Sequence, residues 1–409
     1  MLAMDQKNIA IIGNITGDFI DFLNENDYYY STFLDSRRGI IDDENPSIDF
    51  SNVENVINAV ISTGKKFTAV VALYEEYIQI AAIVSERLEL NSIPVDSAIA
   101  CTDKTIMRGH FHRYDPAITP DFAIVESLDD AIDFAKEHEF PLMLKPANLA
   151  KSLLVTKVNS VEELRTEYFR INDLIGEIYQ KYAPREQPKI LIEEYLDGSI
   201  HSIDVFVDGT GQAFPLHHVV DYVTGFDIGF DDNFHYARLL PSKLSASQQQ
   251  EIKECAIKGV TALGMKYSPA HVEIIMTKKG PKIVEIGARN GGYRQKMHKS
   301  AHGINLYANH MRILHDEPAI LTPTHNDSCA LLEVFPKQRG LFAGLHNQET
   351  LETLPSLRYL NVRAEIGEEV GKSGDGFKRP VVIMLHNSDA KQFNNDLDYV
   401  NQNVWVKTA

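Results

Sequence analysis

Cysteine is scarce in this chain of 409 residues: only Cys101, Cys255 and Cys329 occur, with no CxxC spacing among them. That excludes a disulfide framework or a cysteine-based zinc site, and fits a reducing cytoplasm. No stretch approaches the roughly 18 apolar residues of a membrane span. Nor does the N-terminus carry a basic region followed by an apolar one, because Gly13, Asn14 and Asp18 interrupt the run at 9–12. Membrane insertion and secretion are therefore not expected. Positive charge is in deficit too, and a net charge of −17 repels both a nucleic-acid backbone and an anionic lipid surface, excluding those partners. The G-x-G-x-x-G of a dinucleotide turn is also missing; Gly13 stands alone after its strand and reads as structural. What remains is 44% hydrophobic and 24% charged, ordinary for a globular protein of two to four domains.

The richest stretch is 271–292. Two apolar-rich runs, 271–277 and 282–286, flank Lys278-Lys279-Gly280-Pro281, which predicts a β-hairpin. With the turn centred near Lys279, Glu273 stands opposite Glu285 on the same face. Two carboxylates ~5 Å apart at an effective dielectric of ~20 repel by roughly 3 kcal/mol, so a cation is expected between them. Oxygen donors on a rigid hairpin suit Mg²⁺; two solvent-facing surface glutamates are the alternative. Arg289, two pleats beyond Glu285, adds a positive charge, and Asn290-Gly291-Gly292 lets backbone approach a ligand closely.

Before this stretch the chain alternates strand and helix. Apolar runs at 8–13 and 67–73 read as buried parallel strands, and Tyr77, Ile80, Ala81, Val84 and Leu88 recur at helical spacing, giving a small open α/β unit. The acidic run 42–46 reads as a solvated loop. Lys104 and Arg108 lie one helical turn apart, placed either to hold phosphates or to form a solvated face. A strand at 122–125, a helix over 128–138 capped by Ser127, and a strand ending in Lys145-Pro146 follow. Lys145 has a stem its neighbours bury and an ammonium delivered to the strand end, a geometry suited to a phosphate. The loop 147–152 and a strand at 153–158 complete a hairpin, then Ser160 and Glu163 open a helix as a capping box. A strand over 190–196 ends at Asp197-Gly198; there Glu193 offers a carboxylate to a ribose and the backbone offers hydrogen bonds to an adenine edge. Strands are expected at 201–207 and 212–220, a site-covering loop at 221–236, and a helix capped by Ser247 and Gln250 through Gly264, with Cys255 in its packed face.

The ordered set Lys104, Lys145, Ile192-Glu193-Glu194-Tyr195-Leu196, His271-Val272-Glu273 and Val284-Glu285-Ile286-Gly287-Ala288-Arg289-Asn290-Gly291-Gly292 resembles the ATP-grasp superfamily over 103–313, with the preceding α/β unit matching its N-terminal domain. The resemblance implies an α/β and α+β chain with an ATP-grasp fold: residues 1–102 as an open α/β domain, 103–313 as the central two lobes, and 314–409 as a small α+β domain. It implies that Lys104 and Lys145 contact ATP phosphates, that Glu193, Glu194, Tyr195 and Leu196 hold adenine and ribose, and that Glu273 and Glu285 coordinate Mg²⁺. Two ions are expected, with Mn²⁺ able to stand in. Arg289 then stabilises an acyl phosphate, Gly291 and Gly292 border the substrate, and His201 takes either a nucleotide-contacting or a structural role. Tyr293 either walls the substrate pocket or fills a core. Two departures stand out. The loop 147–154 has no glycine, leaving Lys151 and Ser152 as side-chain donors, and Gly287 occupies a position where many relatives carry a metal-binding asparagine.

Beyond 301–306, expected as a core helix, strands at 328–334, 357–364 and 380–385, a turn at 340–344 and a helix at 389–403 resemble the C-terminal domain of L-amino acid ligases. The implied activity joins a carboxylate to an amine with ATP, through an acyl phosphate, on small molecules such as amino acids in the cytoplasm. The features are compatible with a homodimer. An ATP-grasp carboxylase using bicarbonate and a non-catalytic nucleotide-binding regulator are the alternatives.

Overall fold

The computed structural model describes residues 7–38, 47–148, 154–182 and 187–409. The acidic run at 42–46 and the loop positions Lys151 and Ser152 lie outside these residues. In the N-terminal unit, β1 (Asn8–Ile12), α1 (Gly17–Glu25), β2 (Tyr29–Asp35), β3 (Ser47–Ile48), α2 (Val53–Ser62), β4 (Ala69–Val71), α3 (Ile78–Arg87) and α4 (Val95–Thr102) build a parallel sheet ordered β3-β2-β1-β4. Its apolar strands are buried on both faces: Ile9 and Ile11 pack with α1, Ala10 and Ile12 with α2 and α3. The strand expected over 67–73 is only three residues long. Gly13 turns the chain at φ +82°, and a Cβ there would sit 2.1 Å from the Tyr77 ring, which settles its role as structural.

α5 (Lys104–Tyr114) is capped by Asp103, whose carboxylate accepts from the amides of Thr105 and Ile106. A second, antiparallel sheet follows from β5 (Phe122–Val125), α6 (Leu128–Glu137), β6 (Leu142–Pro146), β7 (Thr156–Val158), α7 (Val161–Tyr182) and β8 (Ile190–Glu194), ordered β5-β8-β6-β7. Both helices begin as the sequence predicts. Ser127 and Asp130 cap α6 reciprocally, while Ser160 accepts from the Glu163 amide and Glu163 reaches back to the Asn159 amide. The expected strand over 153–158 starts only at Thr156, because Leu154 is left-handed at φ 56°.

At 195–197 the chain leaves this small sheet for a large one. There β9 (Gly198–Val207), β10 (Ala213–Pro215), β11 (Val220–Thr224), β12 (His235–Leu240), α8 (Ala246–Ala262), β13 (Ser268–Thr277), β14 (Gly280–Gly287), α9 (Arg294–His302) and α10 (Leu306–Leu314) lead to β15 (Ser328–Val334), β16 (Gly340–Leu345), α11 (Gln348–Thr353), β17 (Leu357–Val362), β18 (Glu369–Val370), β19 (Val381–Asn387), α12 (Ala390–Asn403) and β20 (Val406–Thr408). The order is β14-β13-β9-β11-β12-β15-β19-β17, with β10 on β9; β18-β16-β20 form a small separate sheet. Through the β12–β15 pairing the large sheet continues across residue 314 without a break.

Several expectations need correction. Residues 221–236 are not all loop: β11 and β12 take both ends, their side chains facing the site and the core. The 212–220 strand is broken into β10 and the start of β11. α8 is capped two residues earlier, by Ser245 and Gln248. Residues 301–306 are a break between helices, with Gly303 left-handed at the end of α9 and Asn305 capping α10. The turn expected at 340–344 is strand β16, which pairs with β18 and β20.

Candidate active site

The hairpin β13–β14 places Glu273 directly across from Glu285. Its turn is tighter than expected, since Thr277 pairs with Gly280; a bulge between Glu273 and Ile274 leaves Val284 without a partner and restores the acids to opposition. Arg108, fully buried, secures that bulge by donating to the carbonyls of Ile283 (3.0 Å) and Val284 (2.8 Å). Arg108 is therefore committed to structure and does not hold a phosphate.

Each acid meets a cation. Lys104 Nζ lies 2.9 Å from Glu285 Oε2, and this ammonium holds the Glu285 carboxyl below its ordinary range against burial and the Glu273 charge. Glu273 Oε1 is 3.6 Å from His271 Nε2 and accepts from Tyr222 Oη at 3.4 Å. Burial opposes ionisation of Glu273, but His271, His235 and Arg289 hold its carboxyl well below the usual value.

Behind this pair stands Asp204 on β9, 1% exposed. It accepts from His271 Nδ1 (3.0 Å) and the Gly291 amide (3.1 Å), with Arg294 Nε at 3.9 Å and His298 Nε2 at 3.8 Å. Burial alone would keep His271 neutral, yet Asp204, aided by Tyr222 and Glu273, raises it to about 10. Arg294 donates to Ser202 Oγ and Tyr222 Oη, so one buried network sets the rotamers of Tyr222 and His271. Gly291 is part of it: a Cβ would lie 2.4 Å from His271 Nδ1, whereas nothing lies within 4 Å of one at Gly292.

Lys145 is 7% exposed, with Nζ 2.6 Å from Glu193 Oε2, and Arg108 Nε donates to Glu193 Oε1 at 2.8 Å. Both Glu193 oxygens, expected from the sequence to face a ribose, are thus engaged by Lys145 and Arg108. Burial works against the Glu193 charge, but the two cations bring its carboxyl down to about 2. Lys145 moves the other way, to about 8, because burial and the Arg108 and Lys104 charges outweigh its one carboxylate. Glu194 and Tyr195 lie at the passage between sheets, Glu194 3.6 Å from Lys279 Nζ and the Tyr195 ring under Lys157 Nζ at 4.0 Å, with Leu196 half-buried beside them. His201 is 3% exposed and both its nitrogens have protein partners, Nδ1 facing Asp221 (2.8 Å) and Nε2 facing Ser199 (2.6 Å).

Arg289 meets a residue that sequence reading overlooked. Glu75, just after β4, places Oε2 2.9 Å from Arg289 Nε and 2.8 Å from where a Cβ would stand on Gly287. Burial raises the Glu75 carboxyl while Arg289 lowers it. Tyr293, at φ 61°, packs with Met297 and Met384 and accepts from Arg363 at 2.8 Å, facing the C-terminal strands. Glu75 had no local signal. Asp204 had one, an acid amid an apolar strand.

Two opposed carboxylates are a hard-oxygen donor pair, and the neighbouring Asn290 Oδ1 is buried without a partner. These residues fit Mg²⁺. Residues 138–296 match the ATP-grasp domain family. Alanine–anticapsin ligase of Bacillus subtilis (strain 168) is 28% identical over 254 residues, 59% of this chain and 52% of that protein; D-alanine–D-alanine ligase of Delftia acidovorans is 27% identical over 218 residues, 51% of this chain and 62% of that one. The chain thus spans about half the length of the curated ligases first matched. In fold, the L-amino acid ligase of Bacillus licheniformis superposes with a TM-score of 0.80 at 18% identity over 99% of both chains, and the biotin carboxylase domain of the Hydrogenobacter thermophilus 2-oxoglutarate carboxylase, solved with MgADP and bicarbonate, with 0.72 at 15% over 98% and 90%. Over residues 138–296 the chain thus matches an ATP-grasp domain; in sequence it resembles alanine–anticapsin and D-alanine–D-alanine ligases, and in fold an L-amino acid ligase.

Proposed function

We propose that this protein joins a carboxylate to an amine at the expense of ATP, the substrates being two amino acids and the products a dipeptide, ADP and phosphate. The observation that carries this reading is the face-to-face pair Glu273 and Glu285 with Lys104, Lys145 and the Glu75–Arg289 ion pair around it. Lys104 and Lys145 meet the triphosphate, exchanging carboxylate partners for phosphate oxygens. Mg²⁺ held at Glu273 and Glu285 supplies charge neutralisation for the phosphates. A carboxylate is a poor electrophile for an amine, so the acid is activated by taking the γ-phosphoryl group, and the amine then displaces phosphate from the acyl phosphate. Arg289 holds the carboxylate and the oxyanion formed on amine attack. Glu75 beside it offers the opposite charge, so the pair complements an amino acid's carboxylate and ammonium. Gly291 and Gly292 admit backbone to the substrate, and Tyr293 borders it. Glu194, Tyr195 and Leu196 line the nucleotide at the passage between sheets. Among the described residues no helix is long and apolar enough to cross a membrane, and all three cysteines are free and buried, in keeping with action on small molecules in a reducing compartment.

Phosphate release with ATP and Mg²⁺, measured across pairwise amino acids with product masses, tests the reading; release should require both an acid and an amine. The fold likeness to a biotin carboxylase domain keeps a second reading alive, in which bicarbonate is the acid. ATP turnover dependent on bicarbonate and indifferent to amino acids would select it.

A further inference from the structure

Away from these carboxylates, the segment joining α10 to β15 gathers a second set of ligating side chains. His325 and Asp327 lie on that segment and His386 near the end of β19, and one ligand atom from each falls within 4.8 Å of the others. Strand register explains the meeting: Cys329 pairs with His386 and Ser328 with Asn387, so Asp327, one residue before β15, reaches the His386 ring diagonally. His386 Nε2 is 3.1 Å from Asp327 Oδ2, and His325 Nε2 is 4.0 Å from the same oxygen.

We propose that His325, Asp327 and His386 form a binding site for Zn²⁺ or a similar nitrogen-preferring divalent ion. Bonds of about 2.0–2.2 Å in a tetrahedron set ligand atoms roughly 3.3 Å apart; the two distances to the Asp327 oxygen bracket that value, and all three ligand atoms lie within 4.8 Å of one another, so a modest turn of the His325 ring brings them together. Two imidazoles and one carboxylate are a poor set for Mg²⁺, which demands oxygen, and a good one for Zn²⁺, Ni²⁺ or Co²⁺ with water in the fourth position. The surroundings supply the outer contact such histidines need. Thr324 Oγ1 lies 2.9 Å from His325 Nδ1, placed to accept its proton and leave Nε2 for the metal. His325 Nε2 faces the Ser300 carbonyl on α9 at 2.9 Å and His386 Nε2 the Asp327 carboxylate at 3.1 Å; on binding, the proton on each Nε2 passes to solvent or, through solvent, to Nδ1 of the same ring, and both lone pairs go to the ion. Asp327 and His386 side chains retain 18% and 17% exposure and His325 39%, enough for an ion to enter. A bound ion would pin the segment joining α10 to β15 onto β19 beside the last turn of α9, the helix whose first residue, Arg294, anchors the Asp204 network roughly 9–12 Å away along its axis.

The test is a titration of metal-stripped protein with Co²⁺. It should bind one equivalent with the intense visible absorption of a four-coordinate nitrogen–oxygen site, and Zn²⁺ should abolish the band stoichiometrically. His325→Ala, at an exposed residue, should weaken binding by at least ~10-fold with an unchanged circular dichroism spectrum, His386→Gln should do the same, and Glu273→Gln should leave the band intact. Absence of a four-coordinate band at tens of micromolar Co²⁺, taken as about a thousandfold weaker than a structural zinc site, or a band unchanged in His325→Ala, overturns the proposal, as does loss of the band in Glu273→Gln.

Discussion

Lys145 and Arg289 are single side chains whose environments make opposite demands. Burial and the nearby Arg108 and Lys104 charges bring Lys145 to about 8, so the free protein loses that ammonium over a range in which other lysines keep theirs. A neutral amine cannot pair with a phosphate. The contact proposed for Lys145 therefore predicts that KM for ATP is flat below pH 8 and climbs above it by up to ~10-fold per unit, and that Lys145→Arg, whose charge persists past pH 12, removes the inflection. Initial rates at saturating amino acids from pH 6.5 to 9.5 check this; the same rise in the arginine variant would assign it elsewhere. Arg289 is different, because its proposed partner is a charge that grows during reaction. Arg289→Met should lower amine-dependent ADP release by ~10²-fold or more while the protein stays folded, with an unchanged circular dichroism spectrum. Near-normal turnover in that variant refutes the assignment.

The hairpin shows what was legible at the level of elements and what was not. Opposed glutamates followed from alternation and turn position, but the turn sits at Lys278-Lys279 and a bulge at Val284 compensates. That bulge answers to Arg108, on a distant helix, and nothing in the local pattern announces it. Helix α6 was readable to its cap because capping boxes are short-range; α8 was expected to start at Ser247 but is capped by Ser245 with Gln248, a pair of the same spacing two residues earlier. For Glu193 the position on β8 was foreseeable, its two buried cation partners were not. Gly287 is the sharpest instance. In sequence it is a missing ligand, whereas in space its bare backbone makes room for the Glu75 carboxylate, 2.8 Å from the place a Cβ would take. Gly287→Asn should consequently displace Glu75 from Arg289 and cut ligase turnover by ~10-fold or more, and pairing it with Glu75→Ala should relieve the clash without restoring amino acid affinity. Steady-state KM values for each amino acid, taken beside Mg²⁺ dependence, separate steric from electrostatic loss.

Across the whole molecule, buried titrating groups on different elements set a common pH dependence. His218, His302 and His310 are held neutral by burial, at about 4, 3 and 4, and His235 and His298 are lowered in the same way. The unfolded chain protonates these rings below 6.5 while the folded one resists, so it binds more protons and stability falls as pH drops from 6.5. His271 acts in the other direction. Its folded value of about 10 exceeds 6.5, so its contribution is complete below 6.5 and is lost as pH rises toward 10. Lys145 opposes that loss only from about 8 upward, where the folded state sheds its proton before the unfolded chain does. Stability should therefore peak near pH 6.5, with the clearest alkaline decline between 6.5 and 8. Urea midpoints at half-unit steps from pH 4.5 to 8 measure it. His271→Gln should flatten the limb above 6.5 and leave the lower one, and His310→Leu should soften the lower limb alone; a maximum displaced beyond pH 8 in the parent protein would mean that Asp204 does not hold His271 charged, and with it the network beneath Glu273 would lose its electrostatic basis.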